Sequence, residues 1–319
     1  MKKLIALLLC LTFVLALSSC SGDKDPGHSL SSSVSVGYLS GTTGLGMAKL
    51  IADVSADSEA NITFTKYDSP ALIMAAVASG AIDFACLPTN AFPKFYNEMD
   101  KSIRIAAINT LGVLYLATNG AEIESIADLS GKTVYVPEAA PKLVLSYVLG
   151  LYEVENVTIS MEYDLDTLPA AVASGAAPIA LLPEPKMTVA SNLAKQGGKT
   201  LTIALDLSEL WSAKSGNPLV QGALLVSSSF ASENADAVDE FLDLYRGSIA
   251  FMSDPDNLEA AAGYAVDAGI LPNLAVAKAA IPRCNLTFKS GLEMKAAAEG
   301  FFEALGIAVP SGDWYYVQN

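Results

Sequence analysis

Histidine is almost missing from this chain. His28 is the single one, in a polar stretch near the start, and four cysteines are spread over 319 residues. Zinc and related metals are held by grouped His and Cys, so no metal site is expected, nor any acid–base chemistry that relies on imidazole. Basic residues are scarce too: 19 Lys and Arg stand against 34 Asp and Glu, a net charge of −15, and no basic cluster remains once Lys2 and Lys3 are set aside. Phosphate backbones are gripped by grouped Lys and Arg, so no nucleic-acid partner is expected. Long apolar runs are confined to the beginning. Leu4 to Leu17 is nearly all apolar, yet shorter than the roughly 20 residues that cross a bilayer. The nucleophile elbow Gly-x-Ser-x-Gly does not occur.

What is present at the start is a basic Met1-Lys2-Lys3, the apolar run, and then Leu17-Ser18-Ser19-Cys20. This resembles the bacterial lipoprotein signal. The resemblance implies that residues 1–19 are removed, that Cys20 is lipidated, and that the chain is exported and anchored to the outer face of the cell membrane. An ordinary secretory signal followed by a chance cysteine is the alternative. Residues 20–33 are polar and rich in Gly, Pro and Ser, the composition of a flexible tether. Folding then starts near Val34, and roughly 285 residues suit two domains, each with its own core. Cys10 leaves with the signal. Cys86 and Cys284 have a partner available in each other in an exported protein; one small buried hydrophobe, Cys86, and one thiol near a surface, Cys284, is the preferred reading.

One stretch is used twice. Ala76-Val77-Ala78-Ser79-Gly80 returns letter for letter as Ala171-Val172-Ala173-Ser174-Gly175, and both copies run on into a short apolar segment ended by a proline, Pro88 and Pro183. A small-residue helix ending on a glycine with φ > 0, a buried strand and a proline stop is half of a crossover unit in a parallel α/β sheet. Two similar lobes follow, each exposing a loop at the carboxyl end of a strand, where ligands bind in open α/β sheets.

The order of elements supports this. Val34 to Leu39 alternates as a strand and leads into Ser40-Gly41-Thr42-Thr43-Gly44-Leu45-Gly46 and a helix. Such a turn offers unpaired N–H groups at a helix start, with the Thr42 and Thr43 hydroxyls beside them, to an anion or polar ligand edge; a plain helix start packed on glycines is the alternative. Gly44-x-Gly46 lacks the third glycine of a dinucleotide fingerprint. The first repeated strand delivers Pro88-Thr89-Asn90, whose side chains either bind or cap the next helix. Arg104 to Thr118 reads as two strands broken at Asn109 to Gly112, the crossing between lobes. Pro137-Glu138 and Pro183-Glu184-Pro185 are the matching loops of the second lobe, and Gln221 lies at the return crossing. Ser232 to Met252 is expected as one helix, and Ser290-Gly291-Leu292-Glu293 as a capping box for the last; everything after the return crossing reads as helical.

These residues resemble the substrate-binding lipoproteins of bacterial ABC importers, the nitrate/sulfonate/taurine type that includes binders of thiamine-precursor pyrimidines. The likeness rests on Gly41 to Gly46, on Ser79-Gly80-Ala81-Ile82-Asp83, and on Asp128-Leu129-Ser130-Gly131-Lys132-Thr133-Val134, in that order. It implies an α/β, two-lobed periplasmic-binding-protein type II fold, each lobe a mostly parallel sheet flanked by helices, joined by two hinge strands. Lobe one is expected to comprise 34–112 and 222–319, and lobe two 113–221. It further implies a monomer without cofactor that takes a small molecule in the cleft and hands it to a membrane permease driven by an ATPase. Carried over by loop, the expected ligand-binding residues are Thr42, Thr43, Gly44, Thr89, Asn90 and Asn109 from lobe one, Glu138 and Glu184 from lobe two, and Gln221.

Glutamates on the lobe-two loops suit a ligand with amino or amidinium donors, because a carboxylate left unpaired in a dry cleft costs several kcal/mol. An aminopyrimidine-like molecule therefore ranks ahead of a sulfonate, although Lys49 and Lys142 lie near the loops and favour an anion. Both glutamates also read as solvated loop charges or helix-cap acids. An enzyme on the same fold, or a sensing or adhesive surface lipoprotein without a permease, are the competing classes.

Overall fold

The structure, a computed structural model, describes residues 27–308 and 313–317. The expected signal segment, Cys20 and the first part of the tether lie outside the described residues. The chain opens with β1 (Val34–Leu39), the helical turn α1 (Thr42–Leu45), α2 (Ala48–Ala56), β2 (Ile62–Tyr67), α3 (Pro70–Ala78), β3 (Phe84–Pro88), α4 (Phe92–Glu98) and β4 (Ile103–Leu111). It then crosses to β5 (Leu114–Thr118), β6 (Thr133–Tyr135), α5 (Ala139–Leu151), β7 (Thr158–Ser160), α6 (Leu168–Ser174), β8 (Ile179–Pro183), α7 (Lys186–Gln196), β9 (Thr202–Asp206) and α8 (Leu207–Ser215). It returns through β10 (Val220–Ser227) and finishes with α9 (Ser228–Glu233), α10 (Ala235–Ser253), α11 (Leu258–Asp267), α12 (Leu274–Ala280), β11 (Leu286–Lys289) and α13 (Gly291–Ala304).

Two sheets result, ordered β11-β4-β10-β3-β1-β2 and β7-β6-β8-β5-β9. In the first, β1 is parallel to β2 and β3, and β10 is antiparallel to β3 and β4. In the second, β6 is parallel to β7 and β8, and β5 is antiparallel to β8 and β9. Leaving out β11, the orders β2-β1-β3-β10-β4 and β7-β6-β8-β5-β9 correspond strand for strand. The odd strand in each is the one that has just crossed from the other lobe, which is why it runs backwards.

The duplicated stretch occupies equivalent places. Ser69 stands at the N-cap of α3 and its hydroxyl accepts the Leu72 N–H at 3.4 Å, with Pro70 in the first turn, where no N–H is needed. Gly80 and Gly175 end α3 and α6 at φ 72° and 94°, the left-handed region that glycine enters without a Cβ clash. Both following strands are buried up to the closing proline, which is half-buried: Pro88 pairs with Gly222 of β10, and Pro183 with Leu114 of β5.

Five expectations change. The long helix is two, α9 and α10, broken at Asn234. β11, not expected, adds to the outer edge of β4; Thr287 and Phe288 suit a half-covered edge strand. Ser290 sits at the N-cap of α13 without a capping bond, and the Glu293 carboxylate pairs with Lys289 rather than reaching back to the cap. Residues 28–33 of the expected tether dock on the first lobe: Leu30 is buried, its N–H donates to Asn61 Oδ1 at 2.8 Å, and His28 bonds Asp57. Cys86 and Cys284 are free thiols; Cys86 is buried as expected, but Cys284 is buried too, its Sγ donating to Ala280 O of α12 at 3.2 Å, and is not the near-surface thiol expected. Among the described residues no helix is long and apolar enough to cross a membrane.

Candidate functional site

The carboxyl ends of β3, β6 and β8 converge on one cleft of about 410 Å³. Lobe one brings Pro70, Pro88 and Asn90 to it; lobe two brings Glu138, the first turns of α5 and Pro183; the crossings bring Leu114, Val220 and Gln221. The duplicated prolines therefore face the same space. A third wall comes from neither repeat: Phe301 and Leu305, at the end of α13 and just beyond it, and Ile307.

Polar groups in this cleft are few. Asn90 is exposed and belongs to a single helical turn, Thr89–Ala91; no side chain there caps α4. Gln221 is half-buried at the start of β10. Glu138 occupies the N-cap position of α5 in an extended conformation, makes no capping bond and remains exposed. Its carboxylate is thus uncommitted, and among the described residues it is the one charged side chain lining the cleft.

The remaining expected residues lie elsewhere. Thr42 and Thr43 are buried, and their carbonyls, not their hydroxyls, are engaged: Thr43 O accepts from Asn109 Nδ2 at 3.0 Å and Thr42 O from Thr110 Oγ1 at 3.2 Å. Asn109 gives its other amide hydrogen to Tyr245 Oη at 2.9 Å, so both donors are consumed inside the protein. Gly44 is packed so closely that a Cβ would overlap the Leu39 carbonyl oxygen. The glycine turn is therefore a tie between β1 and β4 rather than an open cradle. Thr89 is fully buried, and its hydroxyl has no partner among the described residues.

Glu184 is the largest departure from expectation. Its side chain is fully buried and its Oε1 accepts from Arg283 Nε at 2.6 Å, while Thr188 donates its hydroxyl to Oε1 at 3.1 Å and its N–H to Oε2 at 3.2 Å. Arg283 lies between α12 and β11 of the first lobe, so this pair spans the two lobes behind Pro183. Burial pushes the Glu184 carboxyl above the ordinary value, and the Arg283 charge opposes that rise without cancelling it. Tyr115 Oη of β5 donates to Arg283 O at 2.9 Å, and Asn285 Nδ2 donates to Gly112 O, closing the same side of the crossing.

Neither lysine reaches the cleft. Lys49 is paired with Asp53 and lies over the Phe251 ring at 5.2 Å; Lys142 is exposed and does not line the cleft. Burial holds the Cys86 thiol up at about 12 and raises Cys284 as well, so neither is a nucleophile near neutrality. Among the described residues no group of three His, Cys, Asp or Glu side chains is placed to hold a metal ion. Sequence reasoning missed Arg283 and the α13 wall, because nothing local distinguishes them from other helix-end residues.

A family model described as "Menaquinone biosynthesis" matches residues 44–303. No curated protein sequence matches the chain. Solved structures with the same fold include an ABC transporter protein from Parabacteroides distasonis, 20% identical over 90% of this chain and 99% of that one, with a TM-score of 0.74. The periplasmic aliphatic sulphonate binding protein of Escherichia coli is 16% identical over 86% of this chain and 88% of its own, with a TM-score of 0.65. A Candida albicans protein described as having the generic periplasmic binding protein fold is 13% identical over 88% and 92%, at 0.55. The two-lobed periplasmic-binding-protein architecture expected from the sequence is the observed one.

Proposed function

The chain belongs to the menaquinone-biosynthesis family; from the geometry of its cleft we propose that it captures a small N–H-bearing molecule between its lobes and passes it on unchanged. The observation that carries this reading is the convergence of both duplicated loops, through Pro88 and Pro183, on a cleft whose one charged lining group among the described residues is the uncommitted Glu138 carboxylate. A carboxylate closed off from water is stabilised by a donor that carries positive charge or polarised N–H groups. Asn90 and Gln221 supply the mixed donors and acceptors that orient a planar ligand edge. An aminopyrimidine-like ligand fits this set better than a sulfonate, which no cation awaits among the described residues lining the cleft. In this reading the protein is the exported, Cys20-anchored, monomeric solute-binding component of an ABC importer. Closure of the cleft presents a surface to the permease, with the ATPase behind it, as a population shift driven by tighter ligand binding in the closed state.

The family's description favours a second reading, an enzyme of a biosynthetic route on this fold. Two amides and one carboxylate support positioning and a single proton transfer at most. The two readings part in one experiment. Protein purified natively is analysed by mass spectrometry for its bound molecule, and that molecule is returned to ligand-free protein and recovered. Recovery of the same mass supports binding; a changed mass supports turnover. Calorimetry with 4-aminopyrimidine and with ethanesulfonate tests the ligand class, and binding of the sulfonate alone overturns the carboxylate argument.

A further inference from the structure

The cleft is built from unequal parts. The strand-end loops and the return crossing supply turns, prolines and three polar side chains, Asn90, Glu138 and Gln221. The third wall, Phe301, Leu305 and Ile307, comes from outside the duplicated unit and is entirely apolar. Leu143 of α5 also lines the cleft while remaining 45% exposed. Leu305 and Ile307 are likewise only partly covered, whereas Phe301 is held in place by packing on Trp211, 6.0 Å between ring centroids. Large apolar side chains left facing a cleft gain most when the occupant covers them with apolar surface. A ligand that was polar throughout would leave these walls wet and bury its own polar groups without partners, which is costly. The volume, about 410 Å³, corresponds to roughly 14 waters at ~30 Å³ each, enough for about one or two fused rings.

Resting on the binding reading above, we infer that the cleft's occupant is amphiphilic: an aromatic or alicyclic body seated against Leu143 and the Phe301–Leu305–Ile307 wall, with one N–H-donating group directed to Glu138. Leu305 then sets specificity by its contact with the body, and Glu138 sets it by its contact with the head.

Paired amines test this by calorimetry on the mature chain. 4-Aminoquinazoline carries the same amino-substituted ring as 4-aminopyrimidine, plus a fused apolar ring. The expected result is that it binds about tenfold or more tightly, since added apolar contact in a fitted pocket discriminates on that order, and with a more negative heat-capacity change. Leu305→Ser is expected to bring the two affinities within about threefold of each other, while Leu305→Met keeps the preference. Leu305 lies past the end of α13 and is partly exposed, so folding of both variants is checked by circular dichroism, and Ile307→Asn serves as an independent variant with the same expectation. Equal affinities in the unaltered protein, or a preference untouched by both polar variants, overturn the apolar-body inference and leave the binding reading standing. Binding of ethanesulfonate alone, or of neither amine, overturns both.

Discussion

At Gly44 a Cβ would overlap the Leu39 carbonyl oxygen, a backbone atom tied into β1. The neighbour has no freedom to move, so Gly44→Ala is expected to destabilise by about 2–3 kcal/mol, in the range of an overpacked interior. Gly247 is the contrast: it lies within α10, exposed, with nothing within 4 Å of an added Cβ. Gly247→Ala is expected to stabilise by about 0.5–1 kcal/mol, because alanine loses less backbone entropy in a helix. Urea denaturation of the two variants measures both signs. At Glu138 the expected effect is on binding alone. The side chain is exposed and caps nothing, so Glu138→Gln is expected to leave the unfolding midpoint unchanged. Its affinity for an amino-bearing ligand should fall about tenfold or more, the loss of one charge-assisted hydrogen bond. An unchanged affinity in calorimetry would remove Glu138 from the site.

At the scale of elements, what could be read from the sequence was what local chemistry encodes. Gly80 and Gly175 announce the left-handed helix ends, and Pro88 and Pro183 announce strand ends. The positions of α3–β3 and α6–β8 followed from those signals. Of the expected residues, Asn90, Glu138 and Gln221 line the cleft, at or beside the strand ends that could be read. The site was not legible where partners come from afar. Arg283 stands 99 residues from Glu184, and no pattern in either segment marks them as a pair. Their pairing makes a prediction specific to the β8–α7 loop. Arg283→Met leaves the Glu184 carboxylate buried and unpaired, expected to cost about 3 kcal/mol at neutral pH, the low end for such a loss because Arg283 itself is partly solvated. The Glu184 carboxyl already sits above its ordinary 4.5 in the folded chain. The folded state thus keeps this proton where the unfolded chain has released it. The group's contribution is complete below the ordinary value and is lost as pH rises through the folded one. Removing Arg283 moves the folded value further up, so the gap between variant and parent should widen as pH rises above the ordinary carboxyl value. Adding Glu184→Gln to the variant should flatten that gap; a gap independent of pH would show that Glu184 is not the group left unpaired.

For the whole molecule the question is whether two lobes mean two folding units. The sheets are separate, but the largest apolar cluster is not. It runs from Leu39, Ile105 and Ile108 of the first sheet through Leu116, Val134 and Ile179 of the second, and is joined by Trp211 of α8 and by Phe301 and Phe302 of α13. Gly112 at the crossing is enclosed by Leu219 and Ser208, and the Glu184–Arg283 pair bridges the lobes. Neither lobe can lose this core without exposing apolar surface of the other. Calorimetry is therefore expected to show one cooperative transition, with calorimetric and van't Hoff enthalpies in agreement. A cleft ligand touches both lobes, so at about 100 times its Kd it should stabilise that whole transition by about 2.7 kcal/mol. Two resolved transitions, of which the ligand shifts only one, would mean that the cluster does not couple the lobes and that the cleft belongs to a single lobe. In that case closure between lobes would have no energetic basis in this chain, because a ligand held by one lobe has no differential affinity for the arrangement of both.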